Sequence, residues 1–386
     1  MYGIMLRRIM KKEELGLYIH IPFCKSKCYY CDFISYSNYC NQIEFYIQKV
    51  IKEMQQYDIR NYNVTTIYIG GGTPSYIHEK YIKQLLDALK TKLIDNETKW
   101  EDMEITIEIN PGTIHRKKLE QYKKAGMNRI SIGLQSTNNS ILKQIGRIHT
   151  YQEFLEAYKL VKESGFENIN IDLMIGLPNQ TIEDIKQTLR EIQRLNPNHV
   201  SVYSLIVEKG TQLEKLIENK QLPLPDEELE RQMYWYVKNM LELSQYNHYE
   251  ISNFAKKGKE SKHNLNCWEQ KQYIGLGAAA HSYLDGIRYS NAVFTELGEW
   301  HFTDKKMEEE QTVEDKKKEY MLLGLRKIEG VNIQKFKQKY SDNPIFLYRK
   351  ELEKLVEQGL LVINGDYIRL TNKGIDLANL VWQEFI

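Results

Sequence analysis

Three cysteines fall within eight residues, Cys24, Cys28 and Cys31, with the spacing C-x3-C-x2-C. Thiolates at such spacing can hold a soft metal, and iron–sulfur clusters are held by cysteine thiolates. A [4Fe–4S] cube has four irons, so three cysteines leave one iron without a protein ligand. An open iron can bind a substrate or cofactor directly, as an open zinc position binds water. Two other readings stand beside this one. A structural zinc site would take its fourth ligand from His20 or Cys40. Alternatively, the thiols are inert and packed as small hydrophobes.

Further unusual residues recur along the first half of the chain. Gly70-Gly71-Gly72-Thr73 would let the backbone approach a ligand closely, although a strand-to-helix turn explains a glycine run equally well. Glu108 and Gln135 can accept from an amino or hydroxyl group of a ligand, or be rim residues. Arg147 can pair a carboxylate through two parallel bonds, or be a surface arginine. His263 stands near Cys267 and Trp268; it reads as a metal or cofactor contact or as a hydrogen-bonded structural histidine.

These residues follow short β-branched runs at roughly 16–22, 65–70, 104–109, 129–134, 169–174 and 199–205. Amphipathic helical patterns separate them, as at 43–57, 81–93, 151–164 and 182–195. Repeated β–α units predict an α/β fold with a parallel sheet, either a full or partial barrel or an open doubly wound sheet. In a barrel all strand C-termini face one mouth. The cysteine loop, the glycines, Glu108, Gln135 and Asp172 would then surround one cavity.

With 386 residues, the chain has room for one large domain and a smaller one. Lys+Arg 53 against Asp+Glu 52 leaves a net charge of +1, which gives no global electrostatic case for nucleic acid or an anionic membrane. Five cysteines, three of them clustered, do not read as a disulfide framework. Arg7, Arg8 and Met10 are not followed by an apolar signal segment, and no apolar run is long enough to span a bilayer. The expectation is a soluble cytoplasmic protein.

A helix is expected over 227–243, then a connecting segment at 249–300, then a small unit at 301–386. Its helical patterns at 314–326, 333–340 and 345–358 precede a hairpin with an Asn364-Gly365 turn and a final helix at 374–385, a winged-helix-like order. Lys335, Lys337 and Lys339 form a mild basic stripe, but a packing or lid role is expected rather than DNA binding.

The run Y-I-H-I-P-F followed by C-K-S-K-C-Y-Y-C resembles the signature of the radical S-adenosylmethionine (radical SAM) superfamily. With G-G-G-T-P-S, I-E-I-N-P, S-I-G-L-Q-S, G-R-I-H and D-L-M-I-G-L-P, it is similar to the branch of oxygen-independent coproporphyrinogen III oxidases and HemW haem chaperones, over residues 14–386. The resemblance implies a partial (β/α)6 barrel over 14–248 and a C-terminal α+β domain. It implies a [4Fe–4S] cluster on Cys24, Cys28 and Cys31, with SAM chelated to the open iron and cleaved to a deoxyadenosyl radical. Tyr18, Gly71 and Glu108 match contacts to that SAM. Tyr30, Gly72, Thr73, Gln135, Arg147, Asp172 and Ile206 match contacts to a second SAM in the oxidase.

Two departures point to the chaperone group. Phe33 stands where the oxidase has a further cysteine, and the chain begins only a few residues before its first strand. The segment H-N-L-N-C-W matches the group's H-N-x-x-Y-W, associated with haem through His263 and Trp268, with Cys267 in place of tyrosine. The expected function is therefore haem binding and transfer to an acceptor protein. The alternative is oxidative decarboxylation of a porphyrinogen.

Overall fold

The computed structural model describes residues 12–294 and 300–386, so the reading of Arg7, Arg8 and Met10 lies outside it. Six parallel strands come first: β1 (Glu13–Ile21), β2 (Tyr62–Gly71), β3 (Glu104–Ile109), β4 (Arg129–Gln135), β5 (Asn168–Ile175) and β6 (His199–Ser204). They pair in sequence order, each parallel to the next. The connections carry α1 (Ile43–Gln56), α2 (Glu79–Lys92), α3 (Arg116–Lys124), α4 (Asn139–Gln144), α5 (Tyr151–Glu163) and α6 (Ile182–Leu195). After β6 come α7 (Gln212–Glu218) and α8 (Glu227–Leu243). This is the expected partial (β/α)6 barrel.

The strands alternate, but their apolar side faces outward. Leu15, Leu17, Ile19 and Ile21 of β1 and Ile105, Ile107 and Ile109 of β3 are at most 2% exposed, in the core shared with the helices. Burying each such side chain contributes about 1.5–3 kcal/mol. The intervening residues point into the barrel, and they are polar: Thr66, Thr106, Arg129, Ser131, Asn170, His199 and Ser201, all buried. Four of them, Ser131, Asn170, His199 and Ser201, bond to one another across strands. Asn170 Nδ2 donates to Ser131 Oγ (2.8 Å), Ser201 Oγ donates to Asn170 Oδ1 (3.2 Å), and His199 Nδ1 lies 2.7 Å from Asn170 Oδ1. The helices have local start signals. Thr150 with Glu153 and Thr181 with Asp184 form capping boxes on α5 and α6.

Residues expected to form a connection at 249–300 instead extend the sheet. The added strands are β7 (Asn247–Glu250), β8 (Asn253–Ala255), β9 (Gln272–Leu276), β10 (His281–Leu284), β11 (Ile287–Asn291) and β12 (Lys305–Glu310). Strand β9 pairs parallel with β1, and β8 antiparallel with β6. Both open edges of the barrel are thereby paired rather than joined to each other. These strands are too short to show a period, and their partners are distant in sequence.

Between β8 and β9 lies α9 (Lys262–Trp268), which carries the H-N-L-N-C-W residues. The C-terminal unit contains α10 (Val313–Gly324), β13 (Val331–Asn332), α11 (Ile333–Tyr340), α12 (Pro344–Leu347), α13 (Arg349–Glu357), the hairpin β14 (Leu361–Asn364) and β15 (Tyr367–Leu370), α14 (Asn372–Asp376) and α15 (Ala378–Gln383). It has a core of its own around Phe336, Leu352 and Val381. The final helix expected over 374–385 breaks at Leu377, which caps α14 and starts α15. The lysine stripe is interrupted: Lys339 Nζ turns to Gln270 Oε1 at 2.9 Å.

Backbone bonds join this unit to the barrel, from Ile251 N to Arg326 O (3.1 Å) and from Ile328 N to Tyr249 O (3.1 Å). Between them, Arg326 lies under Trp268 and beside Trp382, 4.4 and 5.1 Å from the two ring centroids. Glu250, fully buried, is the carboxylate whose charge acts on it. Replacing Arg326 by Ala should cost about 2–3 kcal/mol, because it removes both ring contacts and leaves Glu250 uncompensated. Calorimetry should show the loss, and limited proteolysis should show earlier cleavage between α10 and the barrel.

Candidate functional site

At the C-terminal ends of the barrel strands lies a cavity of about 420 Å³. The cysteine loop forms one wall and the β2–β6 ends form the others. Backbone bonds fix the loop: Cys24 N donates to Tyr36 O (3.0 Å), Cys31 N to Cys28 O (3.2 Å) and Tyr29 N to Ile145 O (3.0 Å). Cys24, Cys28 and Cys31 are all free thiols lining this cavity. Burial pushes the Cys24 thiol up, and it lifts Cys31 to about 11, where the neighbouring Cys28 adds to the effect. Such thiols become thiolates when a cation compensates them.

The candidates for a fourth zinc ligand are engaged elsewhere. His20 Nδ1 lies 2.9 Å from the Tyr18 hydroxyl and its Nε2 2.8 Å from Ile34 O. Cys40 Sγ lies 3.3 Å from the Tyr76 hydroxyl. Among the described residues, no three His, Cys, Asp or Glu side chains converge as a single-ion site. Three cavity-facing thiols with neighbouring open space fit a cluster larger than one ion, with one position left to a ligand.

The glycines are needed for space. A Cβ on Gly72 would stand 2.9 Å from Cys24 Sγ and 3.0 Å from Phe23 O. Gly71 has φ +114°, and a Cβ there would strike the His20 ring at 2.6 Å. Gly71 N is thereby free to donate to Glu108 Oε2 (3.1 Å), while the Tyr68 hydroxyl donates to Glu108 Oε1 (2.8 Å). Burial raises the Glu108 pKa to about 7, with the Asp172 charge adding to it and the Tyr68 bond opposing it. Asp172 accepts from Ser131 Oγ (2.9 Å) and Asn170 Nδ2 (2.7 Å).

Arg147 reaches across the floor of the loop. Its Nη2 donates to Asn110 Oδ1 and to Gly133 O, both at 2.8 Å, and its Nη1 points to Cys28 Sγ at 3.6 Å. With both Nη2 protons engaged, neither two-pronged edge of the guanidinium is free for a ligand carboxylate. The bidentate role expected of Arg147 is therefore not available in this arrangement. Asn110 Nδ2 in turn donates to Thr73 Oγ1 (3.0 Å), which lies 3.5 Å from Cys24 Sγ.

Gln135 lines the cavity at φ +70°, just past a register shift between Gly133 and Gln135. That left-handed conformation in a non-glycine residue is typical of strained functional positions. Tyr30 also lines the cavity, and Phe33 and Ile206, 64% and 69% exposed, form an apolar rim.

Three of the anticipated residues lie apart from the cavity. Tyr18 stands behind Tyr68, with ring centroids 6.2 Å apart. His263 plugs the opposite end of the barrel. Its Nδ1 lies 2.9 Å from Thr66 Oγ1, its backbone N donates to Glu104 Oε1, and its ring lies 5.2 Å from that of Tyr68. Trp268 is in the Arg326 contact described above. His149, in the loop after α4, is buried and flanks Arg147. Sequence reasoning passed over Tyr68, which the inward alternation of β2 marks, and took in Asn110 only within I-E-I-N-P, its role being set by the folded geometry.

A ligand ammonium beside Glu108 needs the carboxylate ionised, and a raised pKa means that protonation competes from about 7 downward. Affinity for a ligand whose ammonium sits beside Glu108, such as the expected SAM, should fall about tenfold per pH unit below 7 and level off above it. Titration calorimetry across pH 5.5–8.5 reads this directly, and Glu108→Gln should bind weakly with a flat profile.

The comparisons accord with this geometry. The radical SAM superfamily model matches residues 18–192, and the HemN C-terminal domain model matches residues 311–377. The chain is 39% identical to the haem chaperone HemW of Lactococcus lactis, covering 98% of each chain. It is 34% identical to that of Escherichia coli, covering 98% of this chain and all of the other. The structure of E. coli coproporphyrinogen III oxidase (HemN), a radical SAM enzyme, superposes with a TM-score of 0.80 at 22% identity, over 97% of this chain and 90% of that one. Full-length similarity at this level, with the three-cysteine loop at the barrel mouth, places the chain in the HemW family of the radical SAM superfamily.

Proposed function

We propose that this protein is a haem chaperone, binding haem and passing it to an acceptor protein. The observation that carries the reading is the full-length similarity to haem chaperones named HemW. The radical SAM family implies a [4Fe–4S] cluster and SAM. In this reading Cys24, Cys28 and Cys31 hold the cluster, and Gly71 and Glu108 receive the SAM amino group. Likeness to the oxidase structure, at 22% identity, speaks for the fold alone.

Phe33 supports the chaperone over the oxidase. It is an exposed phenyl ring at the cavity rim, where the resemblance to the oxidase calls for a thiol. We place the protein in the cytoplasm; among the described residues no helix is long and apolar enough to cross a membrane.

His263 and Trp268 contribute to haem retention, in this reading, through α9. Thr66 and Glu104 anchor His263, and Arg326 holds Trp268. Replacing His263 by Ala should weaken haem retention and lower stability by about 2–4 kcal/mol, since it removes a buried ring and its bond. The Soret band after desalting, read beside the thermal melt, measures both. Full haem retention would remove His263 from the account. Failure of the wild-type protein to retain haem, or to pass it to an apo-haemoprotein, would overturn the function proposed.

A further inference from the structure

We propose that Arg147 sets the reduction potential of the iron–sulfur centre by donating a charged hydrogen bond to the Cys28 sulfur. The protein's own groups orient the side chain. Asn110 Oδ1 and Gly133 O each take one Nη2 proton at 2.8 Å, which orients the guanidinium plane and directs Nη1 to Cys28 Sγ at 3.6 Å. The partners on Nη2 are neutral, and Nε is buried without a partner. A cation so placed needs a counter-charge, and the sulfur is the group within reach that becomes an anion. Tyr30 adds to the same locus, interacting with both Cys28 and Arg147.

The arrangement reaches two of the three thiols. From Cys28 it runs through Arg147, Asn110 and Thr73 to Cys24, by contacts of 3.6, 2.8, 3.0 and 3.5 Å. Hydrogen bonds to the sulfurs and local charge are what set the potential of such clusters. Reduction adds one electron, and hence one negative charge, to the cluster. A fixed positive charge and an N–H···S bond favour that form and raise the potential. Arg147 is thus a positioning residue for the cluster. The inference does not depend on whether the protein carries haem.

The test is the midpoint potential of the anaerobically reconstituted holoprotein, read from the EPR signal of the reduced cluster in redox-poised samples. Arg147→Met should disfavour reduction at least tenfold, a shift of about 59 mV to lower potential for one electron. Arg147→Lys keeps the charge and loses the fork, so its potential should lie between the two. An unchanged or higher potential in an Arg147→Met protein with full iron and sulfide content would overturn the proposal. If that variant does not retain its cluster, Asn110→Ala frees the guanidinium and should give a smaller shift in the same direction. An unchanged potential there would overturn the proposal as well.

Discussion

The barrel strands turn their apolar side chains outward to the helices, and the interior they enclose is lined largely by buried polar side chains, several of which bond to one another. That polar lining organises the rest of the molecule. Asn170, Ser131, His199 and Ser201 bond to one another in the barrel interior. His263 closes one end against Thr66. At the other end Glu108, Asp172 and Arg147, each held by protein hydrogen bonds, line a cavity beside three thiols. Charged groups held in place around open space are what make that end a binding site.

Charge at the site is arranged in two layers. Against the cysteine loop stands a cation, Arg147, oriented by neutral partners. Deeper in the barrel stand two carboxylates, Glu108 and Asp172, each raised in pKa chiefly by burial. An anionic cluster fits the first layer and an ammonium the second. The glycine run leaves room for this packing, since a side chain at Gly72 would strike Cys24 of the loop and one at Gly71 the His20 ring of β1.

Much of this was legible before folding. The six parallel strands, the C-terminal hairpin with its Asn364-Gly365 turn, and the cysteine spacing all rest on local chemistry. What escaped was non-local. Strands β7 to β12 are short, and they join the sheet through β8 on β6 and β9 on β1, at the edges where the barrel is open. Asn110 matters through a partner 37 positions away. In sequence Arg147 reads either as a carboxylate partner or as a surface arginine, and only the fold shows both its Nη2 protons engaged by Asn110 and Gly133. His263 and Trp268 belong to one recognisable motif, yet they serve different contacts at the base of the barrel and at the C-terminal unit.

The central claim, a chaperone on a radical SAM scaffold, is tested most directly by anaerobic turnover. The reconstituted protein is mixed with SAM, a strong reductant and coproporphyrinogen, and the porphyrin products are weighed by mass spectrometry. The account predicts no loss of carbon dioxide from the propionates in a protein shown to carry its cluster. Decarboxylated product appearing together with deoxyadenosine would contradict it and make the protein an oxidase.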